Sequence, residues 1–293
     1  MRKLIILTIA LASFGCTTIV NKPIFPDTIE LTSKQQTSFK NYQARTDYKA
    51  FAVSGNENYS FSSSKYKDVN MMQFVLSNCQ KKAASPCRLV NLNNEDFAPK
   101  YAQFNKQSAR AIQNMRIQSE KYRSIEKQNW WMPTTNELRT LNEGVHFPTP
   151  MELDGIKTID TPSLVEAIKA DNMLVIDAIG FANDRAPSLP NAYVFDWIGI
   201  EYGKDSKEHA MDGIALQNLS TLMSSIAPEK TKPITVYCSS PECWLSVNAA
   251  LRLKSLGYLN VHWYRGGLLA WASAGLPTVD YVPFATIWGR AQQ

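Results

Sequence analysis

Between residues 151 and 280 the chain alternates short apolar runs with helix-spaced stretches, and this alternation constrains the fold more than any other feature. Residues 173–177, 193–195, 234–237 and 261–264 are short runs rich in β-branched and aromatic side chains. Interleaved with them, residues 161–170, 213–226, 245–256 and 268–274 repeat apolar positions at helical spacing. Strands this apolar have no solvent face, and strand–helix–strand order makes neighbouring strands parallel. The pattern therefore predicts an α/β unit over 151–280, with a parallel sheet and helices on both faces. In open sheets of this kind, reactions take place beyond the carboxyl ends of the strands.

Cys238 stands at such an end, directly after the run Ile234-Thr-Val-Tyr237. A loop, Ser239-Ser-Pro-Glu-Cys-Trp244, leads from it into the next helix. Backbone N–H groups at a helix start favour an anion, so a cysteine here should be a thiolate more readily than a free one. Such a thiolate is a nucleophile toward sulfur, and the loop amides of 239–244 form a cradle for a persulfide anion. Ser239 and Ser240 supply hydroxyl donors, Glu242 a nearby carboxylate, and Trp244 an aromatic wall, so these four are the candidate substrate-binding residues. A solvated Glu242 and a packing role for Trp244 are the bland alternatives. Asp177, closing the run 173–177, is the acid placed to orient the loop.

Around these residues the chain resembles the rhodanese family. The resemblance is carried by Cys238, by Gly257-Tyr-Leu-Asn-Val261, by Gly266-Gly-Leu-Leu-Ala-Trp271, and by Ala274-Gly-Leu-Pro277. Leu174-Val-Ile-Asp177 and Leu189-Pro-Asn-Ala192 match the earlier signature. The run Cys243-Trp-Leu-Ser-Val-Asn-Ala-Ala250 is similar to the CXXCW-motif rhodanese-like proteins associated with quinone-dependent catabolism. The resemblance implies a rhodanese-like fold, a small sulfur-containing substrate or an acceptor protein as partner, and Cys238 as the catalytic cysteine. Two departures are specific to this chain. The position of the family's loop arginine, five residues after the cysteine, is Cys243, which removes a fixed cation for thiosulfate. The two cysteines enclose four residues, where the narrower motif encloses two. Cys243 thus offers a second chemistry: resolving a persulfide, or cycling with Cys238 between dithiol and disulfide. A purely structural Cys238–Cys243 bond in a binding module is the non-enzymatic alternative.

The N-terminal half is unlike this. Residues 46–97 read as a small α+β unit: a strand over 49–53, a turn and weak strand over 54–64, a helix over 69–81, and a returning strand over 88–92. Cys79 and Cys87 close that helix and open that strand, a pair suited to a structural disulfide. Residues 98–129 read as one long helix with a basic face, either a solvated connector or a surface for anionic lipid. Trp130-Trp-Met-Pro133 ends it, and 134–150 follow as a linker. Residues 17–45 are polar with few anchors and read as a tether, and 281–293 as a tail.

The first residues read as an export signal: Arg2 and Lys3, then a short apolar core over 4–11 that cannot span a bilayer. Cleavage after Ala12 and a lipobox ending at Cys16 compete. The lipobox makes residues 1–16 a lipoprotein signal, with Cys16 acylated and the chain anchored to a membrane in the periplasm. Setting Cys16 aside leaves an even number of cysteines, as a disulfide framework outside the cytoplasm requires, although four allow three connectivities. The net charge of +5 is too small and dispersed to argue for nucleic acid. His146, His209 and His262 show no metal-ligand spacing, and no cofactor is implied.

Overall fold

The computed structural model describes residues 23–281 except 26–27, 56, 66–70, 81, 84–86, 118, 141–142, 171, 180–185, 196–197 and 200–213. The readings of Cys16, of the signal, and of the tail beyond residue 281 therefore lie outside the described residues, as does His209.

The C-terminal half is a doubly covered parallel sheet. Its strands are β5 (Lys157–Thr158), β6 (Leu174–Asp177), β8 (Ala192–Val194), β9 (Ile234–Tyr237) and β10 (Val261–Tyr264), in the order β5-β10-β9-β6-β8, every pair parallel. β7 (Ala186–Ser188) and β11 (Val279–Tyr281) form a separate antiparallel ribbon. Successive side chains of a strand point to opposite faces, and here both faces are dry. Leu174, Ile176, Ile234, Val236 and Trp263 face α6 (Ile214–Ile226) and α7 (Trp244–Ser255). Val175, Tyr237 and Tyr264 face α5 (Thr161–Ala170) and α8 (Gly267–Ser273). β9 is central and all four of its residues are buried, which explains why the run showed no polar alternation.

The N-terminal unit is an antiparallel sheet in the order β2-β1-β3-β4, from β1 (Tyr48–Val53), β2 (Tyr59–Ser64), β3 (Arg88–Leu92) and β4 (Glu95–Asp96). Ala50 and Ala52 pack on α2 (Met71–Gln80) through Met71 and Val75. Phe51 and Val53 point the other way and meet α1 (Ser33–Gln43) through Phe39 and Tyr42. A disulfide joins Cys79 to Cys87 and ties the end of α2 to the start of β3.

Helix α1 corrects the reading of 17–45 as a tether. It is capped by a reciprocal Thr32–Gln35 box, and the Tyr42 hydroxyl donates to Asn91 Oδ1 at 2.7 Å. Its surface is mostly polar, so no apolar stripe announced it. Ile24 and Phe25 are buried too: Phe25 packs on Tyr101 and Phe104, and its backbone exchanges two hydrogen bonds with the Asn105 amide. The helix expected over 98–129 is two helices, α3 (Ala98–Ile117) and α4 (Glu120–Glu126), with α4 restarting at Ser119. Phe104, Ala111, Met115 and Tyr122 from this pair join the core under α5 and α8. Lys106, Arg110, Lys121, Arg123 and Lys127 stay exposed. Glu126 secures the docking: its carboxylate accepts from the Thr161 N–H at 2.7 Å and the Thr161 hydroxyl at 2.5 Å, capping α5 from another element. Among the described residues, no helix is long and apolar enough to cross a membrane.

The Cys79–Cys87 bond closes a short loop and should contribute about 2–3 kcal/mol by restricting the unfolded chain. Replacing both cysteines by serine should lower the urea midpoint correspondingly while leaving the Cys238–Cys243 region unchanged. An unaltered midpoint would show that the bond is not a staple.

Candidate active site at the carboxyl end of β9

Three residues that close neighbouring strands meet at one edge of the parallel sheet. The register pairs Tyr237 with Asp177 on one side and with Tyr264 on the other, so Cys238 and Arg265 leave the sheet side by side. The backbone of Cys238 is fixed from α8: Leu268 N–H donates to the Cys238 carbonyl at 2.9 Å and Leu269 N–H to the Ser239 carbonyl at 2.8 Å. Gly267 has φ +60°, and a β-carbon there would collide with the Cys238 carbonyl oxygen. The Gly-Gly step of the sequence is therefore a requirement for close approach of α8 to the cysteine loop.

Cys238 and Cys243 are joined as a disulfide, with Cα atoms 6.0 Å apart, and are 2% and 0% exposed. Cys243 is the N-cap residue of α7. Ser239 and Ser240 are half-buried and Glu242 is exposed. The Ser239 hydroxyl lies 3.8 Å from Cys238 Sγ.

The amide cradle expected over 239–244 is largely used by the protein itself. Pro241 has no N–H. Glu242 N–H donates to the Ser240 hydroxyl, Cys243 N–H to the Ser240 carbonyl, and Trp244 N–H to the Val145 carbonyl. Ser239 and Ser240 N–H make no hydrogen bond among the described residues. Trp244 does not line a substrate space: it is 6% exposed, and its Nε1 donates to the Pro148 carbonyl at 3.0 Å.

Both Trp244 bonds end on the segment expected to be a linker. Residues 145–150 lie across the loop: His146 bridges Cys243, Phe147 N–H donates to the Glu242 carbonyl at 2.9 Å, and Thr149 N–H and hydroxyl both donate to the Pro241 carbonyl, at 3.2 and 2.5 Å. Farther along α7, Asn248 holds Arg139 through both its N–H and its carbonyl, at 2.9 and 2.7 Å. Ser246 bonds the Cys243 carbonyl and receives Trp263 Nε1.

Arg265 is the residue the sequence reading missed. It is buried, and its guanidinium donates to the Thr149 hydroxyl (3.2 Å), the carbonyls of Pro150 (2.8 Å) and Thr149 (3.1 Å), and the carbonyl of Glu126 (3.1 Å). It also lies 5.3 Å from the Trp130 ring. Burial lowers its pKa to about 10. Its only sequence signal was a charge at the end of an apolar strand, next to the Gly-Gly step.

Asp177 is 1% exposed and reaches the cysteine through Tyr237. The Tyr237 hydroxyl donates to Asp177 Oδ2 at 2.5 Å, Ser188 donates to the same oxygen at 2.7 Å, and Ile179 N–H donates to Oδ1 at 2.9 Å. Tyr237 in turn receives the Leu189 N–H at 2.9 Å. These bonds fix the residue immediately before Cys238. Burial pushes the Asp177 carboxyl up to about 6, against three donors that favour its ionised form. Burial and the neighbouring carboxylate push the Tyr237 phenol well above its ordinary value. His262 is half-buried in β10, and its pKa is lowered by burial and by Lys157. Among the described residues no group of three or more His, Cys, Asp or Glu side chains is placed to hold a metal.

Similarity to known proteins covers one part of the chain. Residues 161–274 match the family described as the rhodanese-like domain. This part of the chain is a rhodanese-like domain. The match leaves the N-terminal sheet, α3, α4 and the 145–150 segment outside. A curated relative, the uncharacterised protein slr1261 of Synechocystis sp., is 44% identical over 73 residues, a quarter of this chain. The chain spans about two fifths (39%) of that relative's length. The solved structure of the Alr3790 protein from Anabaena sp. covers 46% of this chain and 88% of its own at 20% identity, with a TM-score of 0.31. That of SseA from Escherichia coli, titled a 3-mercaptopyruvate sulfotransferase with the rhodanese fold, covers 40% and 44% at 17% identity, with a TM-score of 0.28.

The Asp177 carboxyl gives a pH test. Its folded pKa is raised, so the folded protein keeps this proton between about pH 4 and 6, where the unfolded chain has lost it. The resulting stabilisation is complete below the unfolded value and is lost as pH rises through 6. From pH 4 to 7, wild type should lose about 2–3 kcal/mol of unfolding free energy relative to Asp177→Asn. Parallel stability–pH curves for the two proteins would contradict the shift.

Proposed function

We propose that the protein handles sulfane sulfur as a sulfurtransferase-type, rhodanese-like protein, with Cys238 as nucleophile and sulfur carrier. The supporting observation is a bonded Cys238–Cys243 pair at the carboxyl end of the central strand of a rhodanese-like domain. In the reduced protein, the Cys238 thiolate attacks the outer sulfur of a donor such as thiosulfate. The donor's S–S bond breaks, sulfite leaves, and Cys238 holds a persulfide. Cys243 then attacks Cys238 Sγ. The persulfide S–S bond breaks, hydrosulfide leaves with the electron pair, and the Cys238–Cys243 disulfide forms. A thiol reductant returns both cysteines to the reduced state. Ser239 and Ser240 are the donors left for the persulfide anion, and Glu242 is the exposed carboxylate beside it. The export signal and the lipobox ending at Cys16 support an acylated Cys16 and an outer-membrane anchor, and the resemblance to the exported CXXCW-motif family supports placing the chain in the periplasm.

Burial of both cysteines favours a second reading, in which the disulfide is structural and the domain is an interaction module of a periplasmic oxidation system. The two readings part on potential: a structural pair should lie below about −300 mV.

Reduced wild-type protein treated with thiosulfate should release hydrosulfide and regain the Cys238–Cys243 disulfide by peptide mass spectrometry, and Cys238→Ser should lose both this release and transfer to cyanide. Cys243→Ser should accumulate the persulfide, because nothing resolves it. Absence of added sulfur on Cys238 in Cys243→Ser, with cyanide transfer equal in Cys238→Ser and wild type, would remove the sulfurtransferase reading. Separately, Cys16→Ser should move the protein from the membrane fraction to the soluble fraction of cells; retention in the membrane would remove the lipid anchor.

A further inference from the structure

The disulfide loop cannot open without disturbing the segment laid across it. The carbonyls of Pro241 and Glu242 are the acceptors for Thr149 and Phe147, and His146 bridges Cys243. Separating Cys243 Sγ from Cys238 moves these same residues. The segment is fixed beyond the loop at both ends. Asn248 grips Arg139 on one side, where the Arg139 guanidinium also lies over the rings of Phe147 and Trp244 at 4.3 and 5.5 Å. On the other side Arg265 grips Thr149 and Pro150.

Thr149 is the link between the two systems. It is 1% exposed, and its hydroxyl accepts from Arg265 Nε while donating to the Pro241 carbonyl. Arg265 has no carboxylate partner among its bonds; its donors are spent on backbone carbonyls and this hydroxyl, all from residues 126 and 149–150. A buried cation held this way is costly unless its acceptors stay in place. It therefore resists movement of 149–150, and through Thr149 it resists movement of the loop.

We infer that Thr149 and Arg265 are positioning residues of the cysteine site: they clasp residues 145–150 over the loop and so set the rate at which the Cys238–Cys243 bond opens. Opening is a thiol exchange. A reductant thiolate attacks Cys238 Sγ, the less buried of the two, forming a mixed disulfide as Cys243 leaves as a thiolate. The second thiol of a dithiol reductant then displaces Cys238 and is itself oxidised to a disulfide. The leaving step requires Cys243 to part from Cys238, which is the movement the clasp opposes. The clasp operates whether the reduced pair carries sulfur or exchanges disulfides, so it goes beyond the function proposed above.

The test uses the full chain with both disulfides formed, dithiothreitol as the reductant, and alkylation of each cysteine followed by peptide mass spectrometry. Thr149→Val keeps the shape and removes the hydroxyl; Thr149→Ser keeps the hydroxyl. In Thr149→Val the Cys238–Cys243 pair should be reduced roughly 10-fold faster, about the worth of one buried hydrogen bond, while Thr149→Ser stays at the wild-type rate. Amide hydrogen exchange at Phe147 and Thr149 should accelerate in Thr149→Val and not in Thr149→Ser. Cys79–Cys87, in a different core, is the internal reference and should keep its rate in every variant. Equal Cys238–Cys243 reduction rates in wild type and Thr149→Val would overturn the clasp. So would an equal acceleration of Cys79–Cys87, which would mark general loosening instead. Loss of sulfur transfer alone bears on the function proposed above and leaves these rates unaffected.

Discussion

The central position of β9 is the constraint on which the C-terminal half depends. With β6 and β10 hydrogen-bonded on either side and helices above and below, every side chain of β9 is buried, and its carboxyl end is fixed in depth and direction. Cys238 inherits that precision from its neighbours. Tyr237 is tied to Asp177, Ser188 and Leu189 on one face, and the Cys238 carbonyl is held by α8. A residue positioned by strands on both sides needs little further support, and the loop after it is held instead by residues 145–150.

Cys243 shapes the loop beyond Cys238: the loop has a covalent link back to its own start. A buried cation of this region, Arg265, directly after β10, holds backbone carbonyls and the Thr149 hydroxyl. The carboxylate of Asp177 is likewise turned inward. Asp177 and Arg265, two buried charges near the cysteine pair, thus secure the frame around it.

The sheet and Cys238 were legible because dry strands leave continuous apolar runs and because the Gly-Gly step marks a close backbone approach. Of the strands of two or three residues, β8 fell in the apolar run read over 193–195, whereas β4, β5, β7 and β11 left no trace. The clasp was invisible for a different reason. Phe147 acts mainly through its backbone N–H, which every residue carries, and the single Thr149 hydroxyl follows no spacing that a sequence pattern records. Only its receivers could be seen, as Trp244 and Asn248 of the motif, and their side chains turn out to bond the segment at Pro148 and Arg139. Helix α1 was missed because Phe39 and Tyr42 are its only large apolar residues, while polar contacts such as Tyr42 with Asn91 complete its docking.

The docking of Ile24 and Phe25 on α3 changes how far the protein could stand from a membrane. A free tether from Cys16 to residue 45 would reach about 100 Å at full extension. With the chain already fixed at Ile24, only eight peptide steps separate it from Cys16, at most about 29 Å. On the reading that Cys16 carries lipid, the body of the protein is confined to a shell of roughly one domain's depth above the bilayer. Its encounters are then with partners that are themselves held at, or come down to, that surface.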